Sequence, residues 1–273
     1  MKSAETVYGL HAVRVMLERH PERVISLRLS ERRDDPRVRR IEELARQHAR
    51  PVHRIDARAL KQMLGDVAHQ GVVAEIAPMP AWTEDTLFDA LSARPSVHAA
   101  PSTRGGTPVT AATPSTRAAP PLLLALDGVQ DPHNLGACLR TADACGALAV
   151  IVPKDRAAQL TPTVRKVAAG AADTTPVVTV TNLVRTLKLM KDAGLWIVGA
   201  DADGPKRAHE VDLKDGTVLV LGAEGGGLRQ LTQQTCDWVV RLPSLGAVES
   251  LNVSVAAGML LYEVVRQRSA DAP

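Results

Sequence analysis

Aromatic residues are scarce in this sequence of 273 residues, which has three Trp, two Tyr and one Phe. An aliphatic core is therefore expected, and a nucleic-acid binder that stacks bases on exposed rings is disfavoured. The three cysteines, Cys138, Cys145 and Cys236, form no Cys-x-x-Cys pair and are too few for a disulfide framework. The sequence thus fits a reduced, cytoplasmic protein.

Several other patterns are absent. No apolar run approaches the ~20 residues of a membrane span, and the N-terminus has no apolar segment typical of a secretory signal. No cluster of His, Cys and Asp has the spacing of metal ligands, so neither a metal nor a membrane partner is predicted. The Gly-x-x-x-x-Gly-Lys-Ser/Thr loop of nucleoside triphosphate binders is missing as well.

The net charge of +3 is small but unevenly placed. Residues 1–60 hold 14 Lys and Arg against 9 Asp and Glu, whereas the remaining residues hold 19 against 21. The excess of basic residues in this N-terminal segment indicates contact with a polyanion. On charge alone, solvated helix faces explain the same pattern equally well.

A boundary lies in the middle of the chain. Residues 92–121 contain six prolines and no Leu, Ile or Phe, so this segment is unable to bury a core. We therefore predict an N-terminal domain over 1–80, a linker over 81–121 that is disordered from about 92, and a C-terminal domain over 122–273.

Both predicted domains alternate helices and strands. The N-terminal domain is expected to be a small α/β unit with helices at 7–19, 37–48 and 57–64, and strands at 24–29, 52–55 and 71–76. The C-terminal strands are apolar throughout, which predicts a parallel sheet covered by helices on both faces. These strands are expected at 122–126, 148–152, 177–180, 195–200, 218–221 and 239–242, and the helices at 135–145, 161–169, 182–193, 228–236 and 251–268.

Ligands of parallel sheets bind at the carboxyl ends of the strands, so the loops there are the candidates for chemistry. The first such loop contains Asp131-Pro132, a turn former, and Asn134, which suits the N-cap of the following helix. Arg140 lies almost two turns further, on an otherwise apolar helix. Taken alone, a capping Asn and a salt-bridged Arg would explain both residues.

The second loop reads Gly222-Ala223-Glu224-Gly225-Gly226-Gly227. Its glycines allow the backbone to approach a ligand closely, but their spacing differs from the dinucleotide fingerprint Gly-x-Gly-x-x-Gly. Glu224 would repel phosphates and suits a ligand that is cationic or rich in hydroxyl and amino donors. A glycine-rich turn without function is the alternative.

The third loop ends with Ser250-Leu251-Asn252-Val253-Ser254, which opens a long helix. Polar side chains at a helix N-terminus face the crevice above the sheet, as do the free N–H groups there. Helix capping accounts for Ser250 but gives no reason for polar residues at Asn252 and Ser254.

Together the three loops resemble the signature motifs of the TrmH family, a branch of the SPOUT methyltransferases. The matching motifs are Asp131-Pro132-x-Asn134-x-Gly136-x-x-x-Arg140, then Gly222-x-Glu224-Gly225-x-Gly227-Leu228, then Val248-Glu249-Ser250-Leu251-Asn252. Near the N-terminus, Tyr8-Gly9-Leu10-His11 and His69-Gln70-Gly71 resemble the accessory substrate-binding domain of bacterial 23S rRNA (guanosine-2′-O)-methyltransferases of the RlmB type. The resemblance runs from about residue 7 to 268, interrupted by the linker.

The resemblance implies S-adenosylmethionine-dependent methylation of the ribose 2′-hydroxyl of a guanosine in 23S rRNA. A related enzyme acting on tRNA or on another rRNA site is the alternative. It further implies a deep trefoil knot in the C-terminal SPOUT domain, an L30e-like N-terminal domain, and a homodimer whose active site draws on both protomers.

The resemblance also assigns the site residues. The catalytic set is Arg140, Asn134, Glu224, Ser250 and Asn252, and the cofactor-binding set is Gly199, Ala200, Gly222, Leu242 and Leu251. In the family, the arginine is held to be the base. Arginine is effectively always charged in proteins, so a cationic Arg140 that stabilises the developing alkoxide, with a phosphate or water as proton acceptor, is the alternative.

Two hypotheses from other functional classes are less well supported by the sequence. An NAD- or nucleotide-binding enzyme disagrees with the glycine spacing of the second loop. A non-catalytic rRNA-binding protein would agree with the basic front, but it would not require the complete set of Asn134, Arg140, Glu224, Ser250 and Asn252.

Overall fold

The computed structural model describes residues 4–31, 33–65, 67, 69–78, 81–94, 119–246 and 250–269. The chain divides into two compact units, Met1–Pro80 and Ala81–Pro273. Residues 95–118, which form most of the segment predicted to be disordered, lie outside the described part of the chain.

The first unit is a four-stranded sheet with helices. Its strands are β1 (Glu5–Tyr8), β2 (Val24–Ser30), β3 (Val52–Ile55) and β4 (Val72–Ile76), and its helices are α1 (Leu10–Arg19), α2 (Pro36–Gln47) and α3 (Ala57–Leu64). The strand order is β1-β4-β2-β3, with β4 antiparallel to both neighbours and β2 parallel to β3. Apolar residues of α1, α2, β2 and β4 share one core.

The start of this unit differs from the expected helix over 7–19. Residues Glu5–Tyr8 form strand β1, and the helix begins only at Leu10. Gly9 separates the two because its φ of 96° is incompatible with a helix and is accessible mainly to glycine. Its N–H donates to the carbonyl of Val72 at 2.9 Å, which fixes the end of β1 beside β4.

The second unit contains a seven-stranded sheet in which every neighbouring pair is parallel. The strands are β5 (Leu122–Asp127), β6 (Ala149–Pro153), β7 (Val177–Val180), β8 (Trp196–Ala200), β9 (Lys206–Arg207), β10 (Thr217–Gly222) and β11 (Trp238–Arg241). The helices are α4 (Glu84–Ser92), α5 (Pro132–Ala144), α6 (Pro162–Ala168), α7 (Leu183–Asp192), α8 (Gln230–Thr235) and α9 (Val253–Ser269). The strand order is β7-β6-β5-β10-β8-β11-β9, and the short β9 is not predicted by the sequence pattern.

Two separate cores lie on the two faces of this sheet. One includes Leu135 and Leu139 of α5 with Leu260 and Leu261 of α9. The other includes residues of α4 and α7, such as Leu187. The prediction of an α/β domain with a parallel sheet covered on both faces is confirmed. Within the described ranges, every helix is too short or too polar to cross a lipid bilayer.

Residues 81–94, assigned above to the linker on composition, belong instead to the second unit. Leu87 and Leu91 of α4 are buried in the core that also holds α7. The side chain of Thr83 accepts the N–H of Thr86, and that of Thr86 accepts the N–H of Thr83, so a capping box starts the helix. The amphipathic α4 thus extends the second unit before β5.

The exposed face of α9 also differs from expectation. With the homodimer that the family resemblance implies, the apolar residues Val253, Ala256, Met259, Leu260 and Val264 predict a dimer-forming face on this helix. Of these, Val253, Leu260 and Val264 are buried in the core of their own chain. The exposed apolar residues of α9 are instead Val255, Met259 and Tyr262, with exposed fractions of 50%, 43% and 63%.

Candidate active site

Helix α5 is capped by Asp131, not by Asn134 as predicted. The Asp131 Oδ1 atom accepts the N–H of His133 at 2.9 Å, and Pro132 occupies the first turn of the helix. Because Asp131-Pro132 already provides the helix start, Asn134 lies inside the first turn and its side chain is not needed there. Asn134 is 7% exposed, so its amide requires a partner from another segment.

That partner is Glu224 in the glycine loop. The Asn134 Nδ2 atom donates to Glu224 Oε1 at 2.9 Å, and the Asn252 Nδ2 atom donates to the same oxygen at 2.7 Å. Asn252 Nδ2 is also 3.0 Å from Asn134 Oδ1. Three loops that are far apart in sequence are therefore joined through one carboxylate oxygen. We call Asn134, Glu224 and Asn252 the amide–carboxylate trio.

The glycine loop that carries Glu224 folds back on itself. The N–H of Gly227 donates to the carbonyl of Ala223 at 3.0 Å. A Cβ atom on Gly222 would lie 1.9 Å from the carbonyl oxygen of Gly227, so no other residue fits at the end of β10 without moving the loop. The turn presents Glu224 on its exposed side.

Asn252 has a local role that the sequence interpretation missed. Its Oδ1 atom accepts the N–H of Ser254 at 2.9 Å and the hydroxyl of Ser254 at 2.6 Å, so Asn252, not Ser250, caps α9. Capping fixes Oδ1, which turns Nδ2 toward Glu224 and Asn134. The signal was present in the sequence as Asn252-x-Ser254. Ala247, Val248 and Glu249 of this third loop lie outside the described residues.

A groove of about 340 Å³ opens beside the trio. It is lined by Gly128, Val129, Gln130, Asp131, Asn134, Ala223 and Glu224. The Glu224 Oε2 atom accepts no hydrogen bond from the described residues, in contrast to Oε1 with its two donors. The groove therefore offers a free carboxylate oxygen and loop backbone to a ligand rich in hydroxyl groups.

The other two predicted catalytic residues, Arg140 and Ser250, are not part of the trio. Six residues separate Arg140 from Asn134 on α5, which is about 9 Å along a helix axis. The side chain of Arg140 is exposed and forms no hydrogen bond or ion pair with any residue in the described ranges. Ser250 is exposed as well. The structure thus brings together three of the five predicted catalytic residues.

Four of the five predicted cofactor-binding residues lie side by side at the carboxyl end of the sheet. Ala200 of β8 pairs with Leu221 of β10 and with Val240 of β11, so these three strands end together. Gly199, Ala200, Gly222 and Leu242 lie at those strand ends. Leu251 is 42% exposed and directly precedes Asn252 of the trio.

This arrangement fits S-adenosylmethionine in its chemistry. None of the five side chains is charged, so any polar contact there is made by backbone N–H and carbonyl groups. Backbone N–H and carbonyl groups can donate to and accept from the adenosine and amino-acid parts of this cofactor. Gly199 is required by internal packing, because a Cβ atom there would lie 2.7 Å from the Cys236 Sγ atom.

Two residues near the site escaped the sequence interpretation, namely Asp127 and Arg229. Asp127 ends β5, is 1% exposed, and accepts the N–H of Arg229 at 3.1 Å through Oδ2. The sequence feature that could have identified Asp127 is its position as an acidic residue directly after the fully apolar segment 122–126. Cys138 lies nearby but is no nucleophile, because burial, with a further contribution from the Glu224 charge, raises the pKa of its thiol to about 12.

The described residues contain no group of three or more His, Cys, Asp or Glu side chains placed to hold a metal ion. The polar side chains of the trio and of the groove are the carboxylates of Glu224 and Asp131 and the amides of Asn134, Asn252 and Gln130. Such groups bind and orient hydroxyl-bearing ligands through hydrogen bonds.

Two family models match the two units. The SpoU rRNA Methylase family matches residues 121–262, and a family described as RNA 2′-O ribose methyltransferase substrate binding matches residues 6–82. The first of these covers the three loops that meet at the trio. The second covers nearly all of the first unit.

Similar proteins span the whole chain. A protein of Pseudomonas aeruginosa named 23S rRNA (guanosine-2′-O-)-methyltransferase RlmB is 50% identical over 98% of this chain and 99% of its own length. Its namesake from Pseudomonas syringae pv. tomato is 47% identical over 99% and 98%. The crystal structure of the SpoU methyltransferase AviRb from Streptomyces viridochromogenes with the cofactor AdoMet has a TM-score of 0.65 at 26% identity, covering 98% of this chain and 92% of AviRb. These matches confirm the predicted resemblance: the chain belongs to the SpoU rRNA methylase family.

Proposed function

We propose that this protein transfers a methyl group from S-adenosylmethionine to the ribose 2′-hydroxyl of a guanosine in 23S rRNA. The observation that carries the proposal is the amide–carboxylate trio, which joins three loops beside a groove at the carboxyl end of the sheet. Relatives that are about half identical over almost the full chain are named for this reaction.

Backbone groups of Gly199, Ala200, Gly222, Leu242 and Leu251 hold the cofactor. S-adenosylmethionine, when bound, supplies a methyl group attached to a positively charged sulfur. The common end of β8, β10 and β11 supports this placement. The AdoMet complex of the structural neighbour AviRb supports the identity of the cofactor.

The trio positions the ribose. Oε1 of Glu224 fixes the amides of Asn134 and Asn252, so neither amide rotates freely when the substrate arrives. Oε2 of Glu224 has no partner among the described residues and accepts a hydrogen bond from a ribose hydroxyl. Holding the attacking oxygen in line with the methyl group is the main contribution available to such a site.

Arg140 acts as a cation rather than as the base. A neutral guanidinium is costly because arginine in proteins remains protonated. The positive charge of Arg140 stabilises the alkoxide that develops on the ribose oxygen, and a phosphate of the RNA or a water molecule accepts the proton. Its lack of an acidic partner among the described residues supports this role, since an ion pair would reduce the positive charge available.

The active protein is a homodimer formed through the exposed stripe of α9. Val255, Met259 and Tyr262 follow helical spacing and leave a contiguous apolar surface. Arg140 lies near this surface, because its neighbour Thr141 contacts α9 at Gly258, where a Cβ atom would be 3.6 Å from Thr141 Cγ2. A second copy of the chain covers the stripe and completes the surroundings of Arg140 and Ser250. Met259→Glu should give monomers in sedimentation experiments, and a dimer that survives this change would contradict the assignment.

The second unit contains a deep trefoil knot. The order β5-β10-β8-β11 and the return of α9 to the core beside α5 support a chain that passes through one of its own loops. Knots are nearly absent from proteins, so family membership is the main argument for this topology.

The first unit, residues 1–80, is an L30e-like domain that binds the rRNA substrate, and the second unit, which includes α4 and residues 122–273, is the catalytic domain. The basic charge of residues 1–60 and the substrate-binding family model support this division. Because the substrate is ribosomal RNA, the reaction takes place in the cytoplasm.

Mapping of 2′-O-methyl groups in the RNA of cells with and without the gene tests the proposal. We expect the loss of one methylated guanosine in 23S rRNA. Loss of a methyl group from tRNA or from another rRNA position would mean that the protein acts on a different RNA site by the same 2′-O-methylation. In vitro, an rRNA fragment with a single 2′-deoxyguanosine at that position should accept no methyl group, and transfer to it at the normal rate would place the methyl group on the base.

A further inference from the structure

The side chain of Asp127 is buried with incomplete hydrogen bonding. Its Oδ2 atom accepts the backbone N–H of Arg229 at 3.1 Å. Its Oδ1 atom is buried, accepts no hydrogen bond from the described residues and lies 3.5 Å from the Nε atom of Arg229. A buried carboxylate needs nearby positive charge, so the guanidinium of Arg229 is attracted to this position.

This attraction fixes where the guanidinium lies. The Arg229 Nη2 atom is 3.0 Å from the point that a Cβ atom on Gly128 would occupy. Gly128 has a φ of 82°, so glycine is favoured there both by the backbone conformation and by the arginine that covers it. Gly128 also lines the groove that contains Asn134 and Glu224. The guanidinium therefore lies at the rim of that groove.

Most of the hydrogen-bonding capacity of Arg229 remains free. Its side chain is 50% exposed, and among the described residues its Nη1 and Nη2 atoms form no hydrogen bond. Contact with Asp127 involves Nε and the backbone only. The outer edge of the guanidinium thus presents several N–H donors in a fixed orientation to a ligand in the groove.

The charges around the groove indicate what kind of ligand fits. Glu224 and Asp131 line it and would repel a free phosphate ion. A ribonucleotide combines hydroxyl groups, which donate to a carboxylate, with a phosphate, which accepts from a guanidinium. The groove has the carboxylates of Glu224 and Asp131 in its lining and the guanidinium of Arg229 at its rim. The carboxylates can therefore accept from the hydroxyl groups of a ribonucleotide while the guanidinium donates to its phosphate.

We propose that Arg229 binds a backbone phosphate of the substrate RNA next to the methylated ribose, and that Asp127 orients its guanidinium for this contact. The inference rests on the proposed function, since it assumes an RNA substrate in this groove. It adds an RNA-binding residue that lies outside the signature motifs.

The test compares Arg229→Ala and Arg229→Gln with Arg185→Ala in the full-length protein. Arg185 is a matched control: it lies on α7, its side chain is 64% exposed, and it also faces a carboxylate, at 3.5 Å from Glu84. The substrate is a 23S rRNA fragment that contains the target guanosine. The measurements are KM for the RNA at several salt concentrations, kcat, and the Kd for S-adenosylmethionine by calorimetry.

We expect both Arg229 variants to raise KM for the RNA about tenfold, as for the loss of one charge-assisted contact. The slope of log KM against log salt concentration should decrease by about 0.7 to 0.9, as expected for one phosphate contact. The Kd for S-adenosylmethionine should stay within about twofold of the wild-type value. Arg229→Lys should restore the salt slope, because it restores the charge.

Two results would overturn the inference. An Arg229→Gln protein whose KM and salt slope equal those of Arg185→Ala would show that no phosphate is bound there. A weaker Kd for the cofactor at unchanged KM would show that Arg229 only braces the glycine loop. Both results require an active wild-type protein, whereas a wild type that transfers no methyl group to the rRNA fragment would contradict the proposed function itself.

Discussion

The two ends of the parallel sheet use the same polar residue types in opposite ways. At the amino end, Arg268 of α9 donates to the carbonyls of Pro120 at 2.7 Å, Leu213 at 3.2 Å and Asp215 at 2.5 Å. Burial lowers the pKa of Arg268 to about 10, which still leaves the side chain cationic at neutral pH. On α5, by contrast, the side chain of Arg140 is exposed and has no such partners among the described residues.

The amide groups show the same contrast. Gln267, buried at the amino end, accepts the N–H of Leu213 at 2.9 Å and donates to the carbonyl of Val211 at 3.1 Å. Both polar ends of this side chain are used within the fold. At the carboxyl end, Asn134 and Asn252 are held by Glu224, whose second oxygen stays open toward a groove. Polar groups that are satisfied internally stabilise the fold, whereas those left open are available to a substrate.

The largest effect on methyl transfer is expected for Arg140→Ala. Loss of its positive charge should lower kcat about 10³-fold while S-adenosylmethionine still binds, because the residue acts on the developing alkoxide. Arg140→Lys keeps the charge but not the planar fork, and partial activity is expected. Single-turnover methylation and calorimetry provide the measurements. Unchanged turnover of the Ala variant would remove Arg140 from the mechanism.

A smaller loss of methyl-transfer activity is expected for Glu224→Gln. The new amide can keep its oxygen toward Asn134 and Asn252, but it then places an NH2 donor where Oε2 would accept the ribose hydroxyl, so the ribose is held less accurately. We expect kcat to fall about 10²-fold, with cofactor affinity little changed. Asp192→Asn, at an exposed carboxylate at the end of α7, is the control. Equal activity of both variants would mean that the trio does not position the substrate.

The glycine loop allows a sharper comparison between neighbouring residues. In Gly222→Ala the new Cβ atom would meet the carbonyl of Gly227 at 1.9 Å, whereas at Gly226 nothing lies within 4 Å. Moving the loop should weaken binding of S-adenosylmethionine about tenfold in the first variant. Gly226→Ala should bind like wild type. Calorimetric titration checks both, and equal affinities would show that the loop does not contact the cofactor.

The smallest effect on transfer is expected at the amino end, where Arg268→Ala should leave kcat unchanged at low temperature. The same variant should lose about 2 kcal/mol of unfolding free energy, because several carbonyls lose a charged donor. The neighbouring Arg266→Ala removes an ion pair with Glu263 from a half-exposed side chain and should cost less unfolding free energy than Arg268→Ala. Urea denaturation measures both. A large fall in kcat for folded Arg268→Ala would show that the two ends are coupled.

The sequence by itself determined the alternation of apolar strands and helices, and with it the parallel sheet and the loops at its carboxyl end. These features depend on local patterns, because burial on both faces demands continuous apolar strands. The motifs in those loops were sufficient to identify the family. At Gly9, whose positive φ ends β1, the helical periodicity that starts at residue 7 was misleading.

Only the tertiary structure shows which polar side chains are hydrogen-bonded to distant segments and which apolar side chains of α9 are buried. Asp131 caps α5 through a local contact with His133, but the binding of Asn134 to Glu224, 90 residues away, follows only from the packing of α5 beside the glycine loop. Burial of Val253, Leu260 and Val264, and exposure of Val255, Met259 and Tyr262, depends in the same way on which side of α9 meets the sheet. Burial and long-range hydrogen bonds depend on contacts that are distant in sequence, and a local pattern of residues does not contain that information.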